Sequence, residues 1–123
     1  MKNIITFELF ENNDFGVNGK LNLFYAVINK NYDTIKDIIK NKKEILNYPD
    51  PQDFTPLAIA AYNHDMKSIR LLIDADADWF KKTEFDKTFF EMLTVDEQEI
   101  IKTEYLIKYI KYKKRMKANR FNL

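Results

Sequence analysis

The residues that could carry catalysis are few and cluster in the middle of the chain. His64 is the only histidine and Ser68 the only serine. They stand four residues apart, and no nucleophile-elbow sequence surrounds them, so a Ser/His/Asp arrangement is not supported. Asp74, Asp76 and Asp78 alternate as in a cation loop. They lack the following glycine and distal glutamate of a calcium hand, which favours a solvated turn.

Several kinds of chemistry are excluded by missing residues. The chain has no cysteine, so it can form neither a disulfide nor a thiolate zinc site, and it has no cysteine nucleophile. A metal site around His64 would lack a second histidine. Gly16-Val17-Asn18-Gly19 is not followed by the Lys-Ser/Thr of a phosphate-binding loop. The sequence therefore predicts a protein that is not an enzyme and that has no cofactor and no metal.

Length and composition indicate one small globular domain over residues 1–123. A chain of this length buries about two thirds of its unfolded surface, and its scarcity of glycine and proline disfavours all-β architectures. The N-terminal residues lack the apolar core and cleavage site of a signal peptide. No stretch approaches the roughly 18 apolar residues of a membrane span. We expect a soluble, cytoplasmic protein, in a bacterial or host-cell cytosol.

The net charge of +1 hides two opposite poles. Residues 102–123 contain eight lysines or arginines and one acid, Glu104, whereas the remaining body contains twelve basic and eighteen acidic residues. The body is therefore acidic and the C-terminal tail strongly basic.

A turn followed by two short helices is the clearest pattern in the chain. Thr55 is a good N-cap, Pro56 suits the first helical position, and a second helix is predicted near residues 66–73. The run Thr55-Pro56-Leu57-Ala58-Ile59-Ala60-Ala61, with Leu71-Leu72 and Ala77-Asp78 after it, resembles an ankyrin repeat. Asp76 stands where that family usually has glycine, a mild departure because aspartate tolerates the left-handed conformation.

Weaker copies lie on both sides of this repeat. A shift of 34 residues back aligns Leu23, Ala26 and Ile35 with Leu57, Ala60 and Ile69, although any amphipathic helical hairpin could give this pattern. A shift of 33 forward places Thr88-Phe89-Phe90 on Thr55-Pro56-Leu57. This third copy is expected to keep its first helix without the proline and alanines. The resemblance covers residues 16–94, as two to three repeats.

The two ends complete the predicted architecture. Residues 1–15 are expected to form an N-terminal cap, as a strand or a short helix, before a loop or hairpin over residues 11–20. Thr94 and Glu97 resemble a capping box that opens a helix over residues 95–117 with two apolar sides. One side is Ile101, Tyr105, Tyr109, Tyr112 and Met116, and the other is Ile100, Leu106, Ile107 and Ile110. The predicted fold is all-α: a short ankyrin-repeat solenoid of helix-turn-helix units with a long C-terminal capping helix, residues 95–123 forming the basic helix and tail.

The resemblance also implies where a partner would bind. Ankyrin repeats usually dock proteins on the concave face, which is made by finger turns and first-helix surfaces. The matching positions are Gln52, Phe54, Tyr62 and Asn63 in the middle repeat, Ile28 and Asn29 in the first, and Phe85 and Lys87 in the third. Alternatively, Phe54 and Phe85 pack against each other or a neighbouring cap. Trp79 is expected in the core.

The basic tail is a second candidate surface, consisting of Lys108, Lys111, Tyr112, Lys113, Lys114, Arg115 and Lys117. Its cations could neutralise phosphates while tyrosines stack, or bind an acidic protein or an anionic membrane surface. It could equally be a solvated helix whose cations favour the negative end of its dipole.

Taken together, these features favour a non-enzymatic protein–protein interaction module. With no second domain to recruit, we expect binding to inhibit or sequester one target, by analogy with immunity, antitoxin-like or phage-encoded inhibitor proteins. The alternative is a nucleic-acid-binding accessory protein that acts through the C-terminal helix. Oligomerisation through the apolar stripe of that helix is left open.

Overall fold

The computed structural model describes residues 19–121, and within that range the chain is helical, with no strand. It forms two compact units, one ending at Met92 and the other beginning at Leu93. The helices are α1 (Asn22–Ile28), α2 (Tyr32–Asn41), α3 (Pro56–Tyr62), α4 (Met66–Asp74), α5 (Val95–Glu104) and α6 (Leu106–Phe121), with 3₁₀ turns at Lys43–Ile45 and Phe90–Met92. The all-α helix-turn-helix prediction is confirmed. The expectations for residues 1–15, and for most of the loop at 11–20, fall outside the described residues.

The middle repeat begins as its sequence predicts. The Thr55 hydroxyl accepts a hydrogen bond from the Ala58 backbone N–H at 3.1 Å, and Pro56 occupies the start of α3. Helix α4 is capped in turn by Asp65, whose carboxylate accepts from the Ser68 N–H at 3.3 Å and the Ser68 hydroxyl at 2.7 Å. These caps satisfy backbone donors that a helix start leaves unpaired.

The first two repeats stack helix against equivalent helix. Helix α1 contacts α3, and α2 contacts α4. The residues buried in these helices repeat with the predicted spacing, and include Leu23, Ala26 and Ile35 of the first repeat and Leu57, Ala60 and Ile69 of the second. The alanines permit close approach of the first helices, since they add no bulk beyond Cβ.

A polar contact also joins these two repeats. The Tyr32 hydroxyl donates to the Asp65 carboxylate at 3.1 Å, and the Lys67 ammonium lies 4.5 Å from the centre of the Tyr32 ring. Burial raises the pKa of Tyr32, and the neighbouring Asp65 carboxylate raises it further.

The turns that end α1, α3 and α4 share one backbone geometry. Lys30, His64 and Asp76 have φ angles of 54°, 57° and 70°, in the left-handed region that usually favours glycine. Each donates its backbone N–H to the carbonyl three residues back, and the next residue donates to the carbonyl five residues back. This is the Schellman arrangement of a helix C-terminus. The predicted left-handed turn at Asp76 is confirmed.

The third repeat departs from expectation at its first helix. Instead of an α-helix after Thr88, the chain forms only the 3₁₀ turn Phe90–Met92. Thr88 and Glu91 cap one another, with Thr88 N–H donating to Glu91 Oε1 at 2.9 Å. Thr94 already caps α5, so the residues between Thr88 and Thr94 are too few for a full first helix of the third repeat. The buried Trp79 ring lies 5.0 Å from Phe89 and stacks on Phe90 at 6.2 Å, so its expected core position is confirmed.

The C-terminal unit consists of α5 and α6, which contact each other. The predicted capping box is present, with the Thr94 side chain accepting from the Glu97 N–H and the Glu97 carboxylate accepting from the Thr94 N–H. The single helix predicted over residues 95–117 is wrong, because Tyr105 leaves helical geometry at φ −127° and ψ 48°. A second helix starts at Leu106 and runs to Phe121. None of the helices in the described range is long and apolar enough to cross a membrane.

Candidate functional site

The candidate site is built on the ring of Phe54, at the end of the middle finger turn. Phe54 is only 5% exposed and packs with Phe24 and Ala58. Its ring centre lies 5.8 Å from that of Tyr62 and 5.9 Å from that of Phe85, both in edge-to-face geometry. Such aromatic pairs add to the stabilisation from burial. Phe54 is therefore a buried ring against which two outer aromatic rings, Tyr62 and Phe85, pack.

Those two outer rings are exposed. Tyr62, at the end of α3, is 58% exposed, and Phe85, in the third finger turn, is 59% exposed. Large aromatic side chains at this exposure leave a substantial apolar area facing water. Because both rest against Phe54, they are held in place without being covered.

Hydrogen bonds fix the two finger turns that carry Phe54 and Phe85. The Asp50 carboxylate accepts from the backbone N–H of Gln52 and of Phe54, each at 2.9 Å. In the third finger, the Thr83 hydroxyl accepts from the Phe85 N–H at 3.1 Å. The Glu84 N–H then donates to the Gln52 carbonyl at 3.1 Å, which ties one finger to the next.

An open groove of about 440 Å³ lies between these fingers and the first helices. Its lining includes Tyr25, Ile28, Gln52, Phe54, Ile59, Tyr62 and Phe85. We call this surface the aromatic groove. A second depression of about 320 Å³ shares Tyr62 and Phe85 and adds His64, Lys87, Glu91 and Met92. Together they form a surface in which aromatic rings lie beside polar and charged side chains.

The structure brings most of the predicted binding residues together. Five of the eight line the aromatic groove: Ile28, Gln52, Phe54, Tyr62 and Phe85. Lys87 lines the adjoining depression, whereas Asn29 and Asn63 line neither. The Asn29 side-chain amide instead donates to the Tyr25 carbonyl at 2.9 Å, which ends α1.

Phe54 was predicted as a binding residue of the concave face, but its side chain is buried and not exposed to a partner. Phe54 is buried because Ala58 and Phe24 leave space that its ring fills. Its packing against Phe85 is the alternative that the sequence had left open.

Four groove residues were not predicted: Phe24, Tyr25, Asp50 and Ile59. Tyr25 and Ile59 stand 34 residues apart in the sequence, so they occupy the same position on the first helix of successive repeats. The repeat period would have identified them if the whole helix face had been aligned.

The charged side chains around the site differ in whether they are paired. The finger acids Asp53 and Asp86 pair with Lys81 and Lys82 at 3.7 Å and 3.4 Å. Both pairs are exposed, and such pairs contribute little to stability. Lys87 is exposed and forms no ion pair with another described residue. It can therefore meet a carboxylate of a partner.

The residues considered for catalysis are not arranged for it. His64 is exposed in the turn after α3, whereas Ser68 is fully buried and donates to Asp65. A buried hydroxyl that already donates to a carboxylate cannot be reached by a substrate. Asp78 closes its own turn, since its carboxylate accepts from the Phe80 N–H at 2.7 Å. Among the described residues, no group of three acids or histidines could hold a metal ion.

The basic tail has a different surface from the one its sequence suggests. Lys111, Lys113, Lys114, Arg115 and Lys117 are exposed and Lys108 is half-buried. Tyr112, however, is only 5% exposed, so the prediction that it acts as a surface binding residue is wrong. Tyr109 is half-buried, and the Lys102 ammonium lies 5.3 Å from its ring centre.

Comparison with known proteins supports the repeat assignment. Residues 23–73 match the family model described as ankyrin repeats (many copies). This segment contains the stacked helix pairs α1–α2 and α3–α4, so the resemblance is confirmed there. Comparison with curated proteins found no match, and comparison with solved structures found none either. Ankyrin repeats are protein–protein interaction modules, and this chain carries such a module.

Proposed function

Because residues 23–73 form ankyrin repeats, we propose that this chain binds one protein target through the aromatic groove and thereby inhibits or sequesters it. The observation that carries the proposal is the pair of exposed rings, Tyr62 and Phe85, supported by the buried Phe54. Interfaces draw most of their binding energy from a few such anchors, and aromatic residues are prominent among them.

The groove combines the features of a docking site for a peptide segment or loop. Its aromatic and aliphatic side chains reward burial of an aliphatic or aromatic side chain of the partner, and Asp50 and Gln52 add polar groups to the lining. The hydrogen bonds within the fingers hold it in shape before binding, which reduces the entropy lost on association. Lys87 lies in the adjoining depression, which Glu91 also lines, and its ammonium can pair with a carboxylate beside the partner's apolar anchor.

Inhibition or sequestration is the finer part of the proposal. It rests on the lack of a catalytic arrangement among the described residues. Binding at the aromatic groove alters the target by covering a functional surface of it. This step is an analogy from fold to role rather than a consequence of the groove geometry.

The test is affinity capture from native host extract, with and without nuclease, followed by titration of the purified partner. Tyr62→Ala and Phe85→Ala should each weaken binding by about tenfold or more, with unchanged circular dichroism because both side chains are exposed. Val95→Ala is the matched control, since Val95 is exposed and lies in the C-terminal unit. If a variant that combines Tyr62→Ala and Phe85→Ala binds the partner with unchanged affinity, the aromatic groove is not the binding surface. An identified target whose activity persists at saturation would reject inhibition.

The alternative of nucleic-acid binding through the basic tail has weaker support. It required tyrosines that could stack on bases, and Tyr112 is buried. The cations alone give a sequence-independent attraction to phosphates. A captured partner that is lost after nuclease treatment would favour this alternative over protein binding.

A further inference from the structure

Helix α6 presents three exposed aliphatic side chains near its start. Leu106 is 54% exposed, Ile107 66% and Ile110 44%. At about 100° per residue, the three lie within roughly 100° of one another around the helix. Tyr112, which is buried, and Met116, which is half-buried, lie on roughly the opposite side. We call Leu106, Ile107 and Ile110 the aliphatic face.

Lysines border this face on both sides. Lys111 lies about 90° to one side of its centre and Lys113 about 70° to the other. Lys114 and Lys117 continue the face towards the C-terminus. All four lysines are exposed, and none forms an ion pair with another described residue. Their long side chains can extend past inserted apolar residues while their ammonium groups stay in water.

We infer that α6 binds an anionic membrane surface, lying along it with the aliphatic face at the acyl boundary. Interfacial helices combine a partly inserted apolar strip with lysines at the level of the lipid phosphates. Anionic lipids of a cytoplasmic leaflet attract such basic segments. This contact is peripheral, and it uses residues outside the aromatic groove.

The arrangement fits other occupants less well. Single-stranded nucleic acid would need exposed aromatic rings, whereas the exposed large apolar side chains described on α6 are aliphatic. A second copy of α6 could pair with the first in a parallel coiled coil. Lys113 and Lys117 would then follow Leu106 and Ile110 by one heptad, and the lysines of the two copies would meet in the interface. An acidic helix of a protein partner would contact lysines along one side of the aliphatic face, whereas lysines border this face on both sides.

The first test is flotation of the full chain with lipid vesicles. We expect binding to phosphatidylcholine vesicles that contain about one third phosphatidylserine, and little binding to phosphatidylcholine alone. Replacing Lys113 and Lys114 with glutamine should weaken binding about fivefold per lysine. The matched control is Lys36→Gln with Lys40→Gln, because both lysines are exposed on α2; this pair should bind as the wild type does.

The aliphatic face distinguishes membrane insertion from simple charge attraction. Leu106→Gln, Ile107→Gln and Ile110→Gln together keep every charge, and should weaken vesicle binding about tenfold or more. Since the chain has no cysteine, Ile107→Cys gives a single labelling site for an environment-sensitive dye. Its emission should shift to shorter wavelength on anionic vesicles, whereas a dye on Lys36→Cys should not respond.

Three results would overturn the inference. The first is absence of binding to the anionic vesicles, and the second is full binding by the triple glutamine variant. The third is stronger binding to a short DNA duplex than to vesicles, together with DNA binding that is unchanged in the triple glutamine variant. Circular dichroism confirms that each variant is folded. Variants of Tyr62 and Phe85 should bind vesicles normally, so failure here is separable from failure of the proposed protein-binding function.

Discussion

The turn after α1 predicts that Lys30→Gly will stabilise the protein. Lys30 has a φ of 54°, and its N–H donates to the Val27 carbonyl at 3.0 Å while the Asn31 N–H donates to Ala26. The left-handed conformation costs a residue with a Cβ about 1–2 kcal/mol. Glycine removes that cost but loses more backbone entropy on folding, by about 0.5–1 kcal/mol. We expect a net gain of about 0.5–1 kcal/mol in the free energy of unfolding.

Urea unfolding followed by tryptophan fluorescence measures this gain. Trp79, the only tryptophan, is buried beside Phe89 and lies in the same compact unit as Lys30. For a slope of about 1.5 kcal/mol per molar urea, the midpoint should rise by about 0.3–0.7 M. Lys30→Ala is the control, because it removes the same exposed side chain but keeps the Cβ.

The comparison between these two variants decides the argument. If Lys30→Gly is no more stable than Lys30→Ala, the left-handed turn is not strained and the reasoning fails. His64 occupies the equivalent turn of the next repeat, with a φ of 57°. His64→Gly should therefore add a similar gain, as expected for separate sites. Asp76→Gly should gain less, since aspartate tolerates this conformation.

Three further predictions test the contacts within the repeats. Thr55→Ala should lower the unfolding free energy by about 1 kcal/mol through loss of the N-cap of α3, measured by urea unfolding against Thr55→Ser. Phe54→Ala should cost about 3–5 kcal/mol, whereas Tyr62→Ala should cost far less because Tyr62 is exposed; equal thermal stability of the two would contradict the burial. Tyr32 has a raised pKa beside Asp65, so its contribution is complete below about pH 10 and is lost as pH rises through the folded-state pKa. Tyr32→Phe should therefore lose stability less steeply than the wild type above about pH 10, and parallel curves would refute this coupling.

Local features of the fold could be predicted because neighbouring residues determine them. Thr55 and Pro56 start α3, and Thr94 with Glu97 starts α5, since each cap satisfies backbone donors within three residues. The left-handed turn at Asp76 follows from its place in the repeat. The shortened third repeat was harder to predict, because Thr88 and Thr94 both begin capped segments only six residues apart.

The sequence by itself determined the helical repeats, their caps and the basic character of the C-terminus, because these depend on local spacing and charge. Only the tertiary structure decided that Phe54 is covered while Phe85 is exposed, since that depends on the space beside Ala58 and Phe24. The same holds for α6, where periodicity marks two apolar sides without saying which one is buried. Packing buries Tyr112 and leaves Ile107 exposed to water. The surface that α6 offers to a partner is therefore aliphatic and not aromatic.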